Sequence, residues 1–272
     1  MSRGGIPDFP EPVRIISDLH LAHPSSRAGE VRGLRPLVAG AGTVIFNGDT
    51  CEQSCRDWRS AGQEKLGELR ALCEEEGAEA CFLAGNHDPE ISERGWLDLV
   101  AGRVFLTHGH AMCLGGTPWS HEYLHRREEI LQLVRERERE GVDLAYHWET
   151  ARLLTEALRP AAARKQGGNY VLSALWPPAR FLSILQSWRG IADTASAFVE
   201  RFRPAAGVVF FGHFHRPGLW YRGGRVICNT GAFMRGSRPL MGELAEGWLS
   251  IRTISRDHDE FRPGERRALF EI

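Results

Sequence analysis

The chain has 272 residues, a formal net charge of −1, 42% hydrophobic residues and 25% charged residues. That length suits one large domain with an insertion, and the near-neutral balance excludes a bulk polyanion-binding character. Six scattered cysteines without a C-x-x-C pair argue against a zinc knuckle or a disulfide framework, and for reduced thiols in a cytoplasm.

The amino-terminal MSRGGIPDFPEP has no apolar signal-peptide core, and no apolar run approaches the ~20 residues of a spanning helix. A soluble, cytoplasmic protein is expected. In chain order, VRIIS (13–17), TVIFN (43–47), EACFLA (79–84) and RVFLT (103–107) predict four strands, and GVVFF (207–211) and RVICN (225–229) two more. These runs show little alternation, which predicts burial on both faces. Between the early ones, QEKLGELRALCEEEG aligns Leu66, Leu69 and Cys73, with Gly77 as a stop. PEISERGWLDLV opens on Pro89 and predicts another helix. Strands alternating with helices imply an α/β sheet, at least partly parallel.

Residues 117–190 break this rhythm. HEYLHRREEILQLVRERERE places Leu124, Ile130, Leu131 and Val134 near one face. Asp143 is a good N-cap for a helix aligning Leu144, Trp148, Ala151 and Leu158. A Pro-started helix with a broad apolar side follows in ALWPPARFLSILQSWRGIADTASAFVERF. Residues 1–272 therefore read as a single domain in which 117–190 is a helical insertion, positioned to act as a lid. LWYRGGRVICN predicts a hairpin turning at Gly223-Gly224, and EGWLSIRTI (246–254) another strand. The polar tail from Arg256 is expected to cover the surface or fray.

Chemistry follows the apolar runs. Asp18 and His20 follow the first, Gly48-Asp49 the second and Gly85-Asn86-His87-Asp88 the third. His108-Gly109-His110 follow the fourth, and Gly212-His213-Phe214-His215 the fifth. In open α/β sheets ligands bind outside the carboxyl ends of the strands, so these groups are expected to converge. Asp18/His20 and His213/His215 are each two apart, and in an extended chain such pairs point the same way. Singly, D-x-H is close to noise and GD is mostly a turn. Five such groups in order are hard to attribute to chance.

The ordered set DLH, GDTCE, GNHD, THGH and GHFH resembles the calcineurin-like metallophosphoesterase superfamily over roughly 13–110 and 192–235. The resemblance implies a four-layer α/β/β/α sandwich. It implies one metal held by Asp18, His20 and His215, a second held by Asn86, His108 and His213, and Asp49 bridging both. Such donors suit Mn, with Fe or Zn as alternatives. A bridging carboxylate can hold two ions ~3.5–4 Å apart. The implied reaction is hydrolysis of a phosphoester or diphosphate bond by a metal-bridging hydroxide, with His87 as general acid. Asp88 would orient His87, or cap a helix starting at Pro89. Glu52 matches the acidic position after GD and is predicted to fix a ligand imidazole from behind. His110 is predicted to face the substrate phosphate. His23, His121, His125 and His147 are expected on the surface, and Asn229-Thr230-Gly231 in a structural turn beside the site.

The family fold hosts phosphomonoesterases, phosphodiesterases, pyrophosphohydrolases and nucleases, so fold does not choose the substrate. The insertion, with Trp176, Phe181, Leu182, Leu185 and Trp188, resembles that of the bacterial UDP-2,3-diacylglucosamine pyrophosphohydrolase group. The best-known members of that group carry Arg where this chain has His87. The expected partner is a small-molecule or lipid-linked phosphate, with peripheral membrane contact as one reading. Residues 117–203 hold 13 Lys plus Arg against 11 Asp plus Glu, which is no basic stripe, so nucleic acid is not expected. A phosphodiesterase or nuclease, and a non-catalytic scaffold, are the alternatives.

Overall fold

Val, Ile and Phe crowd the strands because both strand faces are covered, and that burial sets the layers. The computed structural model describes residues 9–114, 126–138, 143–157 and 178–272. In the first sheet, β1 (Val13–Ile16), β2 (Thr43–Asn47) and β3 (Glu79–Leu83) run parallel. Three antiparallel strands extend it, β9 (Leu240–Ala245), β10 (Trp248–Asp257) and β11 (Glu260–Glu271), in the order β11-β10-β9-β1-β2-β3. The second sheet has the order β4-β5-β6-β8-β7. It contains β4 (Trp96–Leu99), β5 (Val104–Thr107), β6 (Val208–Phe211), β7 (Gly218–Arg222) and β8 (Arg225–Asn229).

Val13, Ile15, Ile45 and Leu83 of the first sheet meet Leu97, Leu106, Phe210 and Cys228 of the second in one apolar core. The outer face of the first sheet, with Val44, Phe46 and Phe82, packs on α2 (Arg56–Glu75) through Leu66, Leu69 and Cys73. Each buried leucine there contributes about 1.5–3 kcal/mol. The short α1 (Arg35–Val38) lies in the same layer. The outer face of the second sheet, with Phe105, Val209 and Phe211, packs on Ile191, Ala195, Phe198 and Val199 of α5 (Pro178–Phe202). These are the four layers α/β/β/α. Gly77 ends α2 with φ +69, and Gly223-Gly224 turn the β7–β8 hairpin with φ +57 and +76.

One sequence expectation is corrected, one is narrowed and one strand is new. No helix starts at Pro89: residues 89–95 are turns and bends, and β4 follows. Leu97 and Leu99 are buried and alternate with half-buried Trp96 and Asp98, a period of two. The tail does not fray, because β11 pairs along β10 and Phe261 packs on Phe233 at 4.9 Å. Its charged residues face solvent along a sheet edge, which discourages edge-to-edge association. β9 was not anticipated at all; Gly242 interrupts its pattern where a side chain would strike the Phe210 ring.

Within 117–190, α3 (Arg127–Glu138) and α4 (Leu144–Ala157) are helical. Asp143 caps α4, accepting the Tyr146 N–H at 2.7 Å. Ile130, Trp148, Ala151 and Leu154 pack with Ala84, Ala111 and Leu114, beside the carboxyl ends of β3 and β5. The third helix, α5, runs through position 190 into the core layer. Leu124, Leu158, His121, His125 and Trp176, and the Phe181 side chain, lie outside the described residues. No helix among the described residues is long and apolar enough to cross a membrane.

Candidate metal centre

The expected groups sit where strands stop, but the backbone there is not extended. Asp18, His20, Asp49, His213 and His215 have φ of 53, 48, 51, 66 and 52. The left-handed region costs a non-glycine residue about 1–2 kcal/mol. The i, i+2 pairs therefore converge through left-handed turns, which corrects the extended-chain expectation. Strain clustered on five neighbouring residues marks a site held by its surroundings. The restraints are visible. Asp18 N–H donates to Gly48 O at 3.0 Å, His20 N–H to Asp49 O at 2.9 Å, and His213 N–H to Asp18 Oδ1 at 3.0 Å. A side chain at Gly85 would strike the backbone of Asp49 and the carboxylate of Asp88, so only glycine permits this approach. Asn229-Thr230-Gly231 closes the turn beside it, with Asn229 Nδ2 donating to Gly212 O at 2.8 Å.

Two ligand groups result, Asp18/His20/Asp49/His215 and Asp49/His108/His213, with Asp49 in both. His20 Nε2 lies 3.0 Å from His215 Nε2, and His215 Nε2 lies 3.4 Å from Asp18 Oδ1. His108 Nε2 stands 3.1 Å from Asp49 Oδ2 without a hydrogen bond. Its Nδ1 lies 3.1 Å from Asn47 O, and His20 Nδ1 lies 2.9 Å from Glu52 Oε1. Those partners assign the ring protons to Nδ1 and turn the Nε2 lone pairs inward.

Divalent cations fit this arrangement. Asp18, Asp49, Glu52 and Asp88 are each at most 1% exposed, an acidic concentration that buried charge tolerates only with compensation. Asn86 Oδ1 and His108 Nε2 are buried without hydrogen-bond partners. In the protein alone, burial opposes charge on His108, but Asp49 and Asp18 outweigh it and lift its pKa to about 9. Ligation would reverse this, since a bound imidazole is neutral.

His87 is held by Glu52, not by Asp88. Its Nδ1 lies 2.9 Å from Glu52 Oε2, while Oε1 of the same carboxylate faces His20 Nδ1. Glu52 therefore fixes a ligand and the candidate acid together, a double role the sequence reading did not anticipate. Although His20, Glu52 and His87 could form a third ligand group, His20 would then have to ligate through both nitrogens. The Nδ1 contacts are better read as hydrogen bonds. Burial opposes charge on His87, but Glu52 and Asp49 outweigh it and raise its pKa to about 10; nearby cations would act in the opposite sense.

Asp88 instead ties two loops together. Oδ1 accepts the N–H groups of Asp49 and Gly85, both at 2.9 Å, and Oδ2 those of Thr50 at 2.6 Å and Cys51 at 3.3 Å. This corrects both roles expected of it, orienter of His87 and helix cap. Asp88→Ala is expected to destabilise the fold by ~2–4 kcal/mol, because four buried donors lose their acceptor. Urea unfolding measures it. Unchanged stability with a selective loss on poor leaving groups would restore the proton-relay role.

The other histidines divide. His110 is 8% exposed, its ring lies 4.8 Å from Trp148 and 5.5 Å from His108, and its Nδ1 is buried without a partner. His147, expected on the surface, is buried against Phe198 and Phe202, with Nε2 2.7 Å from Ala111 O. His23 is half-buried beside Trp58. Trp148, legible in the sequence only as a helix-face residue, joins the insertion to the site.

An α/β/β/α sandwich with two nitrogen- and oxygen-donor groups sharing a carboxylate at its strand ends is a fold with a candidate dinuclear metal centre. The sequence profile described as calcineurin-like phosphoesterase matches residues 11–217, and the chain belongs to this family. Among similar solved structures is a conserved uncharacterized protein, a predicted phosphoesterase, from Streptococcus pneumoniae TIGR4. It is 17% identical, with 96% of this chain and 97% of that chain covered and a TM-score of 0.41. A dimetal phosphatase from Danio rerio is 12% identical, with 90% and 96% covered and a TM-score of 0.45. Vacuolar Protein Sorting 29 from Cryptosporidium parvum is 13% identical, with 97% and 100% covered and a TM-score of 0.43. No curated protein sequence matches the chain.

Proposed function

We propose that this chain hydrolyses a phosphoester or diphosphate bond with two divalent transition-metal ions, His87 serving as general acid. The observation that carries this reading is the pair of ligand groups sharing Asp49, with the Glu52–His87 pair beside them. Asp18, His20 and His215 would hold one ion and Asn86, His108 and His213 the other, with Asp49 in common. The donors suit Mn, Fe or Zn better than Ca. When bound, such ions neutralise phosphoryl charge and lower the pKa of water.

The chain's own residues do the rest. Glu52 holds His87 through Nδ1, which leaves Nε2 to give a proton to the departing oxygen. The His87 side chain is 38% exposed, so a substrate can reach it, whereas Glu52 is sealed at 1%. His110, whose ring lies against Trp148, would face a phosphoryl oxygen.

Metal analysis and a Mn²⁺-supplemented screen of phosphomonoesters, phosphodiesters and diphosphates, UDP-sugar lipids included, test this. About two ions per chain and turnover of at least one class are expected. Metal-free protein that stays inert in Mn²⁺ would leave the non-catalytic scaffold in its place.

A further inference from the structure

The reaction above uses His87 but neither His23 nor Trp58. The His87 and His23 rings both approach His20, with centroids at 4.8 and 6.0 Å. Trp58, in the first turn of α2, lies 4.8 Å from His23 with the ring planes 75° apart. Their chain neighbours Leu21, Cys51, Glu52 and Cys55 are buried, whereas His23 and Trp58 are both half-buried.

The His23 ring is held in place, and Trp58 is carried by α2. His23 N–H donates to His20 O at 2.9 Å, which ties its backbone to a ligand residue. Its Nδ1 accepts the Ser25 N–H at 3.0 Å, which assigns the ring proton to Nε2. Trp58 opens α2, its main-chain N–H donating to Cys55 O at 3.2 Å. An indole and an imidazole near a right angle make an aromatic corner. A third flat ring can stack on one while presenting its edge to the other, both favoured arrangements. On the same stretch of α2, Arg59 faces Glu90 at 3.9 Å.

We propose that His23 and Trp58 form a leaving-group subsite for a planar, uncharged ring such as a nucleobase, carried on the oxygen that His87 protonates. The assignment of this side to the leaving group rests on the hydrolase reading above. His23 and the candidate acid His87 both lie against the same ring, His20, and neither His23 nor Trp58 belongs to a metal group.

Calorimetric titration of the Mn²⁺-loaded protein with adenosine 5′-monophosphate, ribose 5-phosphate and hexyl phosphate tests this. The adenine compound is expected to bind ~10-fold tighter than the other two, the scale of stacking one base on an aromatic side chain. His23→Ala and Trp58→Leu should each shrink that advantage to about 2-fold or less, and Trp58→Phe should keep most of it. Thermal melts identify which variants are folded. No ring advantage in the wild type, an advantage untouched in both folded variants, or an equal gain for hexyl phosphate would overturn the subsite. Ring-selective binding without hydrolysis of any phosphoester or diphosphate supports the aromatic corner and removes its leaving-group role together with the hydrolase reading. Failure to bind any of the three phosphates overturns both.

Discussion

Asp49→Asn is expected to empty both metal positions and to lower turnover on the order of 10³-fold, the rate equivalent of several kcal/mol of charge stabilisation. Asp49 stands in both ligand groups, and its Oδ2 is the atom nearest His108 Nε2, at 3.1 Å. Its Oδ1 also accepts the His87 N–H at 2.8 Å. Asparagine keeps an acceptor for that N–H and removes the charge, so the substitution separates ligation from loop geometry. It also relieves a crowd of buried carboxylates. In chelator the variant should unfold no earlier than the wild type, while only the wild type should gain melting temperature with Mn²⁺, because a ligand stabilises only the state that binds it. A variant that retained the full Mn²⁺-dependent shift would remove Asp49 from both ligand groups.

His87→Gln is expected to slow substrates with poor leaving groups by ~10²–10⁴-fold, the usual contribution of a positioned acid, and to slow p-nitrophenyl esters much less. A nitrophenolate departs without a proton; an alkoxide does not. Glu52→Gln should show the same split, because the Glu52 carboxylate holds the His87 ring at 2.9 Å. It should also weaken metal binding about 10–100-fold, since the same carboxylate supports His20. The double variant should lose little more than His87→Gln alone on poor leaving groups, as expected of residues acting as one unit. Equal losses on good and poor leaving groups would reassign His87 to binding or structure.

The candidate ligand positions were legible because every motif follows an apolar run, and four of the five pair a metal-binding or proton-moving residue with glycine. Partners were harder to read. Asp88 directly follows His87, yet its carboxylate turns back to four main-chain donors. Glu52 is far from His87 in sequence and reaches it because the loop before α2 donates the N–H groups of Gln53 and Ser54 to His87 O. The misread segment at 89–100 shows the same limit. Pro89 resembles a helix start, but β5 supplies an antiparallel partner that a local pattern cannot announce.

By itself the sequence determined most of the parallel strands, the residues placed at their ends, the family and the helical character of much of 117–190. Those properties are local: they depend on burial periodicity, turn residues and side-chain chemistry within a few positions. Tertiary structure alone decided which carboxylate serves which imidazole, that five site residues adopt left-handed backbone, that the charged tail forms an edge strand, and that Trp148 meets His110. Each of these joins positions remote in the chain, or trades local strain for long-range hydrogen bonds. Local preference does not encode that balance, because its compensating energy comes from residues elsewhere in the fold.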